Sequence, residues 1–169
     1  MRGERALDLG RVLEALERHD VAYVIIGGIA SLAHGSPLPT VDVDVCPAYD
    51  ADNLGRLARA LRDLGAKLAP PGADPIDFPL DGASLGQFVS ACFVTDAGDV
   101  DVVMWPDGIE RGYRGLVGNA VRVELHGHDV RIAALDDIIT SKRAAGRAKD
   151  VGALPYLERL RELRERPDA

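Results

Sequence analysis

The chain has 169 residues, 47% of them hydrophobic, enough to bury one sizeable core and no more. No apolar run approaches the ~20 residues that span a bilayer, and the opening MRGERALDLG lacks the apolar segment of a signal peptide, so a cytoplasmic location is expected. A net charge of −7 argues against broad electrostatic adhesion to nucleic acid, although a local basic patch can still grip such a substrate.

The apolar spacing Leu9, Val12, Leu13, Leu16 predicts an amphipathic helix over Asp8–Arg18. Val21–Ile26 is short and β-branched and reads as a buried strand. After Gly27-Gly28, the run IASLAHG gives one or two helical turns closed by Gly35. Pro37 and Pro39 force an extended loop before a strand over Val41–Cys46, which Pro47 terminates. Asp50 starts a second amphipathic helix, with Leu54, Leu57, Leu61 and Leu64 inward and Gly65 at its end. Pro70 to Gly86 has no periodicity and reads as a long loop, a candidate lid or acceptor-binding element. Strands over Gln87–Thr95 and Val100–Trp105 flank a hairpin turn at Asp96 to Asp99. Two short β segments fit Val121–Leu125 and Asp129–Ile132, and the last third is helical, Leu135–Ala145 and Asp150–Arg164. Cys46 and Cys92 lie in apolar strand contexts and are expected to be buried thiols. The whole reads as one α/β domain over 1–169, with its core over 21–132 and a C-terminal helical pair over 135–165.

The chemistry concentrates in carboxylates. Alternate residues of a strand share a face, so Asp42 and Asp44 project together, ~7 Å apart at Cα, with Val41, Val43 and Val45 toward the core. Asp99 and Asp101 repeat this grammar. If the two strands are neighbours the carboxylates converge, and an oxygen-only set of that kind suits Mg²⁺ or Mn²⁺. The ordinary reading of alternating Asp and Val is a strand with one face in water. The pair gains force from its place one loop after a strand–Gly-Gly–helix unit, where backbone N–H groups can meet phosphates.

Gly27-Gly28, His34-Gly35, Thr40, Asp42 and Asp44 together resemble the minimal nucleotidyltransferases of the DNA polymerase β superfamily. The flavour is that of bacterial abortive-infection and toxin–antitoxin nucleotidyltransferase-like proteins, which the tail LDDIITSKRAAGRAKDVGAL also resembles. The resemblance covers Val21 to Leu154. It implies a nucleotidyltransferase fold, a small mixed twisted sheet flanked by helices, and transfer of a nucleoside monophosphate from an NTP to a hydroxyl of an unidentified acceptor: tRNA, a protein or a small molecule. It also implies that Asp42 and Asp44 ligate the metals, and that Asp101 completes the set and helps to deprotonate the acceptor. Gly27 and Gly28 would cradle phosphates, Thr40 would bond near the triphosphate, and Lys142 would neutralise its charge. A cognate toxin or antitoxin protein is the further partner implied. The chain departs from the pattern at Leu38, where many relatives carry an arginine two residues before the threonine. The alternative is a catalytically degenerate nucleotide- or partner-binding module of the same fold.

Other residues have plainer readings. His34 is expected to pack or cap, and His126 and His128 to face solvent near a turn, since no third ligand accompanies them. Lys142, Arg143, Arg147 and Lys149 form either a solvated helix face or a phosphate-facing patch, with Lys142 and Lys149 on one side. Arg159 to Arg166 reads as an exposed helix end.

Overall fold

A computed structural model describes residue 3 and residues 5–166. Helix α1, Leu9–Arg18, starts where Asp8 accepts a hydrogen bond from the Arg11 N–H at 3.1 Å and buries Leu9, Val12, Leu13 and Leu16. Strand β1 is Tyr23–Ile26, helix α2 Gly27–His34 and strand β2 Asp42–Pro47. Helix α3, Ala51–Asp63, is capped by Asp50, which accepts from the Asn53 N–H at 2.8 Å. Strand β3, Lys67–Leu68, and helix α4, Gly82–Leu85, precede β4, Ser90–Thr95, and β5, Gly98–Val103. Helix α5, Tyr113–Val117, leads to β6, Val121–Leu125, and β7, His128–Ile132. The chain then runs through α6, Leu135–Ala145, and α7, Ala148–Glu165.

Among the described residues the strands form one mixed sheet of seven, in the order β3-β4-β5-β2-β1-β7-β6. β2 lies at its centre, antiparallel to β1 and parallel to β5. Alternation puts Val43 and Val45 into the apolar cluster that also holds Leu13, Leu57 and Leu61, while Asp42 and Asp44 project from the opposite face. Val41 is 64% exposed, so the expected inward row begins at Val43. The structure bears out the mixed, helix-flanked architecture and the paired C-terminal helices.

Three short elements, β3, α4 and α5, were not expected from the sequence. α4 falls inside the predicted long loop, and that loop is tethered rather than open. Leu85 is fully buried, the Arg62 guanidinium donates to the Leu80 carbonyl, and Phe78 packs on Phe88 with ring centroids 5.4 Å apart. A buried asparagine supplies a further tie. Asn53 accepts from the Ala22 N–H at 2.7 Å and donates to the carbonyls of Ala22 and Ala48, both at 2.9 Å, so α3 is stitched to the segments flanking β1 and β2.

The C-terminal helix is anchored by a residue of its exposed end. Arg164 lies 3.0 Å from His34 Nδ1 and donates to the His34 carbonyl at 3.1 Å, while His34 Nε2 sits 2.8 Å from the Ala133 carbonyl. An arginine can only donate, so Nδ1 accepts, Nε2–H donates to Ala133, and the ring is neutral. Burial holds the His34 pKa below its usual value and the Arg164 charge adds to this, partly opposed by the Ala133 hydrogen bond. The unfolded chain therefore takes up this proton more readily than the folded one, and the stability present above about pH 6.5 is lost as pH falls through that value. The fall in Tm between pH 7.5 and pH 5.5 should be smaller in His34→Gln than in the wild type. Equal falls in the two proteins would assign the acid sensitivity to other groups.

Candidate active site

The turn from β1 into α2 meets β2 at very close range. Ile26 pairs with Asp44 across the antiparallel strands, so the next residue, Gly27, lies directly on the Asp44 side chain. A Cβ at Gly27 would collide with the Asp44 carboxylate, and φ is +64° there, which disfavours any other residue. A Cβ at Gly28 would stand 2.5 Å from Thr40 Oγ1. Thr40 in turn donates to Asp42 Oδ1 at 3.0 Å. The glycine pair thus has a structural duty toward the acidic residues beside whatever it does for a ligand. Ile26 offers no side-chain cap to α2, so the first N–H groups of that helix receive no side-chain oxygen from it.

The parallel pairing of β2 with β5 sets Asp42 beside Asp99 and Asp44 beside Asp101. Burial pushes the Asp44 carboxyl up to about 7. The charges of Asp42 and Asp101 add to the rise, and Lys149 and Lys142 oppose it. Asp44 and Asp101 line one wall of a cleft of about 260 Å³, together with Gly27 and Cys92. The C-terminal helices and the turn between them add Lys142, Arg147, Lys149 and Asp150 to its lining.

Two of these cations, Lys142 and Arg147, are arranged around one carboxylate. Asp150, 1% exposed, lies 3.3 Å from Lys142 Nζ and accepts from Arg147 Nε at 2.6 Å. Burial alone would raise its pKa, but the Arg147 hydrogen bond and charge, with those of Lys142, outweigh this and hold it below the usual range. α6 ends at Gly146 in the left-handed conformation, so Lys142 and Lys149 belong to two helices rather than to one face of one helix. The turn between the helices still brings both to the cleft.

The expected site residues separate into two groups. Gly27, Asp44, Asp101 and Lys142 line the cleft; Gly28, Thr40 and Asp42 sit beside it, linked through the Thr40 hydroxyl. Asp99 is buried, and its Oδ2 accepts from the Gly3 N–H at 2.8 Å. Cys46 is buried as expected, but Cys92 is only half-buried and lies opposite Asp101 in the β4–β5 pair. None of residues 70–86 lines the cleft. His126 is exposed in a turn, and His128 contacts Glu17. Arg147 and Asp150 carried a signal that was read only as a basic cluster: their spacing of three at a helix start lets the two side chains meet.

Among the described residues no three His, Cys, Asp or Glu side chains are gathered into a ready metal cage. Asp42 is turned to Thr40. The donor chemistry nevertheless fits a hard divalent cation: Asp42, Asp44 and Asp101 offer only carboxylate oxygens, and their mutual repulsion is registered in the raised Asp44 pKa.

No protein-family model and no curated protein matches the sequence. Solved structures do match. The lincosamide antibiotic adenylyltransferase LnuA, with lincomycin bound, superposes with a TM-score of 0.60 at 11% identity, over 92% of this chain and 99% of that one. The fold is that of the nucleotidyltransferases. ANT(2″)-Ia in complex with adenylyl-2″-tobramycin gives a TM-score of 0.55 at 16% identity, over 91% of each chain. A Thermotoga maritima protein provisionally named a nucleotidyltransferase gives 0.50 at 16% identity, over 98% of this chain and 100% of that one. At these identities the likeness concerns the nucleotidyltransferase fold itself.

The contact between Gly27 and Asp44 predicts an asymmetry between glycines. Gly27→Ala should lose about 1–2 kcal/mol from its backbone conformation alone, before any displacement of Asp44. Gly152→Ala, inside α7 with open space around it, should gain up to about 1 kcal/mol from helix propensity. Urea unfolding of the two variants measures both, and a Gly27→Ala protein as stable as wild type would refute the close approach.

Proposed function

We propose that this chain is a metal-dependent nucleotidyltransferase that moves a nucleoside monophosphate from an NTP to the hydroxyl of an acceptor. The observation that carries the reading is the cleft itself. Asp44 and Asp101 stand in register on parallel strands, in a cleft also lined by Lys142, Arg147 and Lys149. Negative and positive groups in one lining match a substrate that is at once polyanionic and metal-chelating.

Asp42, Asp44 and Asp101 would hold Mg²⁺ or Mn²⁺, which when bound supplies charge neutralisation for the triphosphate and acidifies a coordinated hydroxyl. The protein's own groups do the rest. The N–H groups at the start of α2 meet phosphate oxygens, Lys142, Arg147 and Lys149 hold the chain of phosphates, and Asp101 receives the acceptor proton. Thr40 orients Asp42 through its hydroxyl. Positioning and charge account for most of the rate in phosphoryl transfer.

The absent arginine at Leu38 puts nucleotide affinity in doubt and leaves a degenerate module as the rival. Lys142, Arg147 and Lys149, from the C-terminal helices and the turn between them, line the cleft and support the active reading. The two antibiotic adenylyltransferases of this fold make ATP the first nucleotide to test and small hydroxylated compounds natural acceptors to screen. The toxin–antitoxin or phage-defence setting implied by the sequence resemblance is proposed with it, and co-purification with a neighbouring gene product tests that setting.

Thermal unfolding with each NTP, with and without Mg²⁺, tests the reading without knowledge of the acceptor. At 100 times Kd, ligand stabilisation is about 2.7 kcal/mol, or roughly 5–10 °C in Tm at 2–4 °C per kcal/mol for a chain of this size. The rise should require metal and vanish in Asp44→Asn. No shift in the wild type with any NTP would sink the proposal.

A further inference from the structure

Next to the cleft lies a second, open groove of about 610 Å³, bounded by Tyr49, Trp105, Arg111, Tyr113 and Arg114. Trp105, the chain's single tryptophan, lines both. It stands four residues beyond Asp101, so their Cα atoms are no more than about 14 Å apart. One ligand can touch both.

The groove has the marks of a prepared surface. Tyr49 and Trp105 are 48% and 42% exposed, with ring centroids 5.1 Å apart and planes tilted by 49°. Large exposed rings are ordinarily free to turn, but these two are held. The Tyr49 hydroxyl donates to the Gly86 carbonyl, and the backbone at Gly112 backs the indole so closely that a Cβ there would stand 3.1 Å from it. Rigid, exposed aromatic rings give contact area at low entropic cost. Arg111 occupies the left-handed region at φ +67°, in a turn closed by the Arg114 N–H on its carbonyl at 3.1 Å. Backbone strain held by a turn is a recurring mark of binding sites.

Charge narrows the ligand. Both arginines are exposed, and neither makes a hydrogen bond or ion pair through its side chain among the described residues. Asp50 is the one acid of the groove, and its Oδ1 is engaged in capping α3. The groove is therefore cationic within an acidic chain. Guanidinium groups bind phosphate in fork geometry, and exposed aromatic rings stack on bases.

We propose that this groove is the acceptor subsite and that the acceptor is a nucleotide unit. Its base stacks on the Tyr49–Trp105 step, its phosphates meet Arg111 and Arg114, and its 3′-hydroxyl is presented to the cleft. The proposal rests on the nucleotidyl-transfer reading above. In the reaction the hydroxyl oxygen forms a bond to the α-phosphorus of the NTP. The bond from that phosphorus to the bridging oxygen breaks, its electron pair leaving with pyrophosphate, and the hydroxyl proton passes to the Asp101 carboxylate. The nucleotide unit is either the end of a single strand or a free mononucleotide.

The single tryptophan reports on the groove directly. Trp105 fluorescence is titrated with a five-nucleotide single-stranded RNA, with a nucleoside 5′-monophosphate and with spermine, each with Mg²⁺ and a non-hydrolysable ATP analogue at saturating concentration. Saturable quenching by the RNA or the monophosphate is expected, with Kd raised at least tenfold in an Arg111→Gln/Arg114→Gln double variant. Quenching by RNA alone identifies a strand end as the source; equal quenching by both identifies the mononucleotide unit. For RNA, the slope of log Kd against log salt should fall by about 1.4 in the double variant, at about 0.7 per phosphate contact. Quenching by spermine alone, no quenching by any probe, or an unchanged Kd in the double variant would overturn the proposal. Thermal stabilisation by Mg²⁺ and the ATP analogue is read in parallel and should be the same in wild type and double variant. Its absence in the wild type marks failure of the nucleotidyl-transfer reading, and its presence with no groove quenching marks failure of the acceptor subsite alone.

Discussion

The contact on which the rest depends is the approach of the Gly27-Gly28 backbone to β2. With no side chains on the turn, β1 can hand over to α2 directly above Asp44 and Thr40. Register follows from that approach. Ile26 opposite Asp44 fixes β1 on β2, and the parallel pairing of β2 with β5 then places Asp101 beside Asp44. A slip of one residue would turn both acidic side chains to the core face. The buried Val43 and Val45 resist such a slip, since it would bring them out of the apolar cluster.

Placing like charges side by side in a partly desolvated cleft is unfavourable, and the raised Asp44 pKa expresses that cost. The counter-charge comes from the end of the chain, about a hundred residues later. There the buried Asp150 gathers Lys142 from one helix and Arg147 from the start of the next. A buried carboxylate with two partners is costly to disrupt, because removing a partner leaves charge uncompensated in a poor solvent for it. Asp150 therefore fixes where the cations stand, and the cations remain at the wall of the cleft. The helical pair lines the cleft and is held on one flank by the clamp of Arg164 on His34.

The elements legible in the sequence were those with a period. The Asp–Val alternation of β2 and β5 and the helical leucine spacing of α1 and α3 each reflect one face in the core and one outside, and the structure keeps them. α6 was legible to its ends because Gly146 terminates it. β3, α4 and α5 were not, since a strand of two residues completes no alternation and a helix of four or five residues completes barely one turn. The long-range polar ties were invisible for another reason. Asn53 reaching Ala22 and Ala48, and Arg164 reaching His34, are consequences of topology, and no local pattern encodes which distant carbonyl or ring nitrogen a side chain will meet. The same holds for Asp150, whose burial depends on how α7 turns back on α6.

Net charge is silent on such local arrangements for a related reason. A value of −7 suggests a surface with little attraction for anions. The described arginines and lysines divide, however, between those already paired and those left unpaired. Arg5, Arg18, Arg122, Arg143 and Arg159 face acids on the surface, where such pairs contribute little beyond solubility. Arg111 and Arg114 make no ion pair among the described residues and line a groove with two tilted aromatic rings. Recognition depends on the charges that folding leaves unpaired and on where they stand, and the sum over the chain carries neither. An acidic protein can therefore present a cationic, aromatic groove, and the proposed anionic acceptor depends on that local arrangement rather than on the net charge.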